Sequence, residues 1–256
     1  MRTRCFLPSG VWPRESGETV ISRGREAHHL TRVLRVRKGD IVICFDGCGR
    51  EAEAVVQEIT PQGTLLKMGL TRQIPASPWL ISLGVAVPGQ GKLDEIVNSA
   101  TQLGVRRILP LLTERTIVQL TPDRFDRKQA HLQQISIEAA KQSGAGRLPE
   151  ILPLTPWRQL LAAFAQYDRV LMAAVEGPHE DWRAALSQSV RRTERAIGTS
   201  YLLLIGPEGD FSSKEIRQAS GAGARLVSLG PLVLRCETAV ISALSILGYL
   251  LREEIA

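Results

Sequence analysis

Two hydrophobic rhythms divide the chain. Up to about residue 72 the apolar positions fall in short runs with turns between them. Asp40-Ile-Val-Ile-Cys-Phe45 predicts a compact strand, the Asp46-Gly47 turn closes it, and Glu51-Ala-Glu-Ala-Val-Val56 alternates polar with apolar. An Asp-Gly pair between two such runs predicts a β-hairpin. A further strand, Thr64–Leu70, follows the Pro61-Gln-Gly63 turn, so residues 1–72 predict a small β-barrel. Gln73-Ile-Pro-Ala-Ser-Pro78 has the composition of a linker, which places a second domain at 79–256.

From Trp79 onward apolar, strand-like runs occur at Leu80–Val87, Arg107–Leu112, Ile151–Leu154, Arg169–Val175, Tyr201–Ile205 and Arg225–Leu229. Helical patterns separate them or follow the last. Leu93–Gly104 sets Ile96, Val97, Ala100 and Leu103 on one face and stops at a glycine. Thr121-Pro122 predicts a capped helix running to about Ser143, and Thr155-Pro156 predicts the same before Trp157–Gln166. Ser212-Ser-Lys-Glu215 is a capping box. Such alternation predicts an α/β domain with a mainly parallel sheet. Ligands of such sheets sit beyond the carboxyl ends of the strands, which directs attention to the loops after Ile205 and Leu229.

Charge sharpens this division. Of a formal net charge of +6, residues 1–75 carry +4, from 12 basic and 8 acidic side chains, and also His28 and His29. That asymmetry points to an anionic partner at the N-terminal part. With 44% apolar and 23% charged residues the chain is globular. The uncharged apolar stretch Thr238–Leu251 is 14 residues, too short to cross a bilayer. The N-terminus lacks the apolar core of a signal peptide. The four cysteines, at 5, 44, 48 and 236, offer no second ligand pair at zinc spacing. The expectation is a cytoplasmic protein with reduced thiols, no metal and no membrane segment.

The common loop motifs fail. Pro88-Gly-Gln-Gly-Lys-Leu93 has glycines and a lysine but not the spacing or the hydroxyl of a P-loop, and no G-x-G-x-x-G follows a strand. Two loops of unusual composition remain. Ile205-Gly-Pro-Glu-Gly-Asp-Phe-Ser212 leaves an apolar strand for a capped helix, and its glycines suit either close approach to a ligand or a tight turn. Ser228-Leu-Gly-Pro-Leu-Val-Leu-Arg-Cys-Glu-Thr-Ala239 carries Arg235 and Glu237 beside a hydrophobic helix. Arg235, flanked by Leu234 and Cys236, reads either as half of a buried Arg–Glu pair or as a guanidinium that stabilises negative charge on a substrate.

With these loops the chain resembles the ribosomal RNA small subunit methyltransferase E family of the SPOUT superfamily. The resemblance rests on Gly206-Pro-Glu-Gly209 with Phe211-Ser212, and on Ser228-Leu-Gly-Pro231 with Leu234-Arg235 and Glu237-Thr-Ala239. It extends to Arg4 and Phe6, His28–Arg35, Gly39-Asp40, Phe45-Asp-Gly47, Leu103-Gly-Val105, Glu114-Arg115 and Gln142-Ser-Gly144. It implies a PUA-like β-barrel that binds RNA and an α/β domain with a deep trefoil knot that binds S-adenosylmethionine and forms a homodimer. It also implies methylation of N3 of one uridine in the 16S rRNA of the small ribosomal subunit. Under it, Ile205, Gly206, Pro207, Glu208, Gly209, Ser228, Leu229, Gly230 and Leu234 hold the cofactor, and Arg235 is catalytic. Arg4, His28, His29, Arg32 and Arg35 contact RNA.

Methylating N3 requires loss of an imide proton, and the negative charge then spreads onto the flanking carbonyl oxygens. A fixed arginine lowers that barrier. Glu208 and Glu237 are candidate proton acceptors, and neither is assigned. The chain departs from the family at Asn98-Ser99 and Gln102, at Ala145, at Asp210 (a usual glycine), at Leu232 (a usual arginine) and at Cys236 (a usual threonine). These departures motivate an alternative, a diverged, catalytically weak RNA-binding relative. A nucleotide-cofactor oxidoreductase is a third reading, disfavoured by the missing glycine fingerprint.

Overall fold

A computed structural model describes residues 3–89, 91–116, 122–187 and 198–253, and these form two compact units. The first comprises the chain to Ala76 together with 137–148. Its strands are β1 (Arg4–Phe6), β2 (Thr19–Ser22), β3 (Ile41–Phe45), β4 (Arg50–Thr60), β5 (Gly63–Met68) and β6 (Arg72–Gln73). They run in the order β1-β3-β4-β5-β2, with β6 on β4, and all pairs are antiparallel except β1 with β3. The expected hairpin is present as β3 and β4, and Asp46 holds its turn by accepting the Cys48 and Arg50 N–H groups. A register shift between Val56 and Glu58 bends β4. Curvature brings the end strands together, so that Cys5 Sγ lies 3.7 Å from Ser22 Oγ, both buried.

Segment 137–148 belongs to this unit through specific contacts. Buried Lys141 pairs with Glu26 at 3.0 Å, and Arg147 donates to the carbonyls of Cys48 and Ile74. Gly49 sits at φ 106°, a conformation that favours glycine, and the Arg147 guanidinium packs against it. Gln73, in the expected linker, is paired in β6.

Basic residues 23–38 form α1 (Gly24–His28), a π-helical turn over His29–Val33, and a left-handed residue at Arg35 (φ 53°). Leu30 is fully buried, but Val33 and Leu34 are 60% and 40% exposed. Their spacing, at i, i+3 and i+4, would set all three on the packed face of a regular α-helix. The wider π turn and the break at Arg35 rotate the last two outward.

The second unit comprises 77–136 and 149–256. Its elements are β7 (Trp79–Ala86), α2 (Lys92–Gln102), β8 (Arg107–Leu112), α3 (Pro122–Ser143, whose last turns join the first unit), β9 (Glu150–Ile151), β10 (Thr155–Pro156), α4 (Trp157–Ala163), β11 (Arg169–Ala173), α5 (Trp182–Ser187), β12 (Thr199–Ile205), α6 (Ser213–Gly221), β13 (Arg225–Val227) and α7 (Cys236–Glu253). The sheet is parallel throughout, in the order β10-β8-β7-β12-β11-β13 with β9 also on β8. Its strands are apolar on both sides because helices cover both faces. Leu83, Ile96, Ile108, Val240 and Leu247 form one core layer, and Leu111, Leu160, Met172, Leu202 and Leu204 the other. Each such fully buried side chain contributes roughly 1.5–3 kcal/mol.

Two expected elements differ. The single strand over Ile151–Leu154 is instead β9 and β10, because Pro153 interrupts it without an N–H to donate. Thr155 does not cap α4: it lies in β10, its hydroxyl donates to the Pro153 carbonyl, and Pro156 is the N-cap residue. Thr121, the other expected cap, lies outside the described residues. The Ser212–Glu215 capping box is present in full.

Candidate functional site

The sheet order explains the site. β11 lies between β12 and β13, so the two loops singled out in the sequence flank the loop after β11, and all three open at the carboxyl ends of their strands. Between them is a cavity of about 510 Å³, within the roughly 300–1,000 Å³ usual for small-molecule sites. All nine residues expected to hold a cofactor line it, from Ile205–Gly209 and from Ser228, Leu229, Gly230 and Leu234. Ala173, Ala174 and Val175 of the middle loop line it too, as do Cys236 and Ala239 of α7.

Backbone geometry makes this cavity. A Cβ on Gly206 would meet Phe211 N and Cδ2 at 3.1 Å and Asp210 Oδ1 at 3.0 Å, so the loop packs against its own return. Asp210 itself is left-handed (φ 59°), and its Oδ2 accepts the Val175 N–H at 2.7 Å, tying the β12 loop to the β11 loop. Positive φ explains why glycine is usual here, and the side-chain bond explains why Asp is accepted. Gly230, at φ 109°, turns the β13 loop with its N–H on Ser228 Oγ. Trp182 donates from Nε1 to the Ser228 carbonyl at 2.8 Å.

The failed P-loop does hold an oxyanion, but one of the protein's own. Gly89 N–H and Lys92 Nζ reach Glu208 Oε1 at 3.2 and 3.3 Å, and Lys92 also lies 3.7 Å from Glu237 Oε2. Lys92 therefore ties the β12 loop to the start of α7. Burial pushes the Glu208 carboxyl up, but N–H donors and Lys92 outweigh it and hold it below the usual range. A carboxylate so held is a poor proton acceptor. Burial, then Glu208 and Glu237, push the Cys236 thiol up to about 12, so it stays protonated at neutral pH and is no nucleophile.

Arg235 differs from expectation. It is exposed, and among the described residues it does not line the cavity and has no ion pair with Glu237, whose partner is Lys92. The buried Arg–Glu reading is therefore excluded. Arg235 immediately precedes α7, between cavity-lining Leu234 and Cys236, and its side chain is exposed.

In the first unit His28, Arg32 and Arg35 are exposed and His29 half-buried. Arg4 is not free for RNA: its guanidinium pairs with Glu51 at 2.8 Å, donates to the Ala145 carbonyl and lies 4.8 Å from the Phe45 ring centre. A lone Arg beside an apolar strand gives no sequence sign of that pairing. Missed residues of the cavity are Arg115, Asp210 and the β11 loop, and Lys92, which does not line it, was missed as the brace on Glu208 and Glu237. Only the strand order, with β11 between β12 and β13, could have placed that loop.

Residues 75–248 match the RNA methyltransferase domain family, and residues 23–67 match the RNA methyltransferase PUA domain family. Ribosomal RNA small subunit methyltransferase E of Bacillus subtilis is 28% identical over 247 residues, covering 96% of each chain. The enzyme of the same name from Synechocystis is 30% identical over 234 residues, covering 91% of this chain and 74% of the relative. The chain belongs to the ribosomal RNA small subunit methyltransferase E family. A Legionella pneumophila methyltransferase solved with its cofactor SAM superposes with a TM-score of 0.85 at 27% identity, covering 98% of both chains. The methyltransferase E of Neisseria gonorrhoeae, bound to S-adenosyl methionine, gives 0.82 at 26% identity, again over 98% of both. The methyltransferase E fold is thus present from end to end, with a PUA domain followed by an α/β domain.

Proposed function

We propose that this chain transfers a methyl group from S-adenosylmethionine to N3 of a uridine in 16S rRNA of the small ribosomal subunit, as a cytoplasmic homodimer. The observation that carries this reading is the single cavity formed by the three loops after β11, β12 and β13, in a chain matched along its length by cofactor-bound methyltransferases. The cavity fits the cofactor in kind. Apolar walls from Ile205, Leu229 and Leu234 suit an adenosine, and the Gly206–Gly209 and Ser228–Gly230 backbones present main-chain donors and acceptors.

Bound there, the sulfonium cofactor supplies an electrophilic methyl group; N3 gains it, the N3 proton leaves, and a neutral thioether remains. This chain's residues do the rest. The glycine loops fix the donor, Lys92 ties the β12 loop to the start of α7 and Asp210 ties it to the β11 loop, and Arg235 meets the negative charge that develops on the uracil oxygens. Glu208 already has donors on its carboxylate and is not the base.

RNA docks on the first unit through exposed Arg32, Arg35 and His28, with Arg23, Arg25, Arg37 and Lys38 adding charge. Dimerisation is supported by the outward face of α7, where Ile241 and Tyr249 are 44% and 59% exposed and Ser245 and Gly248 lie between. Among the described residues no helix is long and apolar enough to cross a membrane. The resemblance, together with this strand order, supports the knotted chain path.

Calorimetry tests the cofactor assignment: S-adenosylmethionine should bind at one site per chain and NAD(H) should not. Tight NAD(H) binding without a response to S-adenosylmethionine contradicts it. RNA affinity should fall steeply with salt, and neutralising Arg32 and Arg35 together should flatten the slope of log K against log salt by about 1.5–2. An unchanged slope would remove the PUA unit as the RNA platform.

A further inference from the structure

Arg115 is the only arginine or lysine among the described residues lining the cavity, yet nothing above gives its charge a task. It follows β8, a strand on the far side of β7 from the three site loops, and reaches the cavity because the loop over Thr113–Thr116 is held in place. Thr113 N–H donates to Thr116 Oγ1 at 3.0 Å, and the Glu114 N–H donates to buried Glu215 Oε1 at 2.9 Å. The Arg115 side chain then crosses Gly209, where a Cβ would stand 3.5 Å from its Cδ, and its Nη1 donates to the Gly209 carbonyl at 2.5 Å.

That bond occupies one of five N–H donors. Among the described residues no carboxylate forms an ion pair with Arg115: neighbouring Glu114 pairs with Lys214 at 3.1 Å, and Glu208 with Lys92. The arginine is exposed, at the rim of the cavity rather than in its floor. A guanidinium with donors to spare and no carboxylate paired to it is a good partner for a phosphate, which it can take in fork geometry.

We infer that Arg115 clamps a backbone phosphate beside the target nucleotide, setting the entering uridine against the Gly206–Gly209 loop. This rests on the RNA methyltransferase reading and adds to it a substrate contact on the catalytic unit. The bond to Gly209 holds the guanidinium in place for that contact. The clamp does not read the base, and it is distinct from the arginines of the PUA unit.

The test compares wild type with Arg115→Gln, which keeps an amide donor without charge, and with Arg115→Lys. The probes are purified 16S rRNA, for affinity across a salt series, and S-adenosylmethionine, for calorimetry. Expected for Arg115→Gln are a salt slope reduced by about 0.7–1 and RNA affinity weaker by about tenfold at low salt. KM for RNA should rise correspondingly, with kcat and cofactor affinity within about twofold of wild type. Arg115→Lys should restore most of the slope. An unchanged slope overturns the clamp. Weaker cofactor binding with an unchanged slope would place the guanidinium on the cofactor's carboxylate, and a loss confined to kcat would place it on the uracil; either overturns it. A wild-type chain that binds RNA but transfers no methyl defeats the methyltransferase reading instead, since the slope is read without turnover.

Discussion

Replacing Arg235 with alanine should lower kcat for methyl transfer by about 10²–10³ while the affinity for S-adenosylmethionine stays within twofold of wild type. Position and charge both support this split. The side chain is exposed, so its loss opens no hole in the core, and Glu237 keeps Lys92 as its partner. The groups proposed to hold the cofactor belong to the glycine loops, and Arg235 is not among the residues lining that cavity. Arg235→Lys should recover part of the rate, because a point charge replaces a planar fork. Turnover and calorimetry on one preparation check this. Cofactor affinity falling in step with kcat would make Arg235 a loop-holding residue, and an unchanged rate would remove it from the chemistry.

Glu215→Ala should destabilise the second unit by about 2–3 kcal/mol, with a Tm fall of about 5–10 °C. Glu215 is fully buried, and its carboxylate accepts the Ser212 N–H at 2.8 Å and the Glu114 N–H at 2.9 Å. Alanine leaves both N–H groups without their acceptor. Ser212→Ala removes only the hydroxyl that accepts the Glu215 N–H, so it should cost about 1 kcal/mol. Because Glu114 precedes Arg115, the larger loss should also loosen the arginine at the cavity rim. Thermal unfolding of the two variants checks the order; equal or negligible shifts would mean that the buried carboxylate is not holding the loop.

Most of this site was legible because it lies on two contiguous loops whose glycines and turns carry local signals. Gly206-Pro-Glu-Gly209 and Ser228-Leu-Gly-Pro231 each follow an apolar strand, and a general rule about parallel sheets is enough to aim at them. What stayed hidden depends on contacts far apart in the chain. Lys92 stands 116 residues from Glu208 and Arg115 stands 94 from Gly209, and no periodicity records such pairs. The loop after β11 was missed because its importance comes from strand order, which is not local. The pairing of Arg4 stayed hidden in the same way: its partner Glu51, which also pairs with Arg72, is on a strand two places away in the sheet. Val33 and Leu34 kept helical spacing while the backbone left α-helical geometry, and that turned them outward.

The most direct measurement is transfer of a labelled methyl group to small ribosomal subunits that lack the modification, with the labelled nucleoside identified. The account predicts one methyl per subunit on N3 of a uridine, dependent on S-adenosylmethionine and nearly lost in Arg235→Ala. A wild-type chain that binds the cofactor yet labels neither the subunits nor naked 16S rRNA, or that places the methyl on a ribose or another base atom, would contradict it.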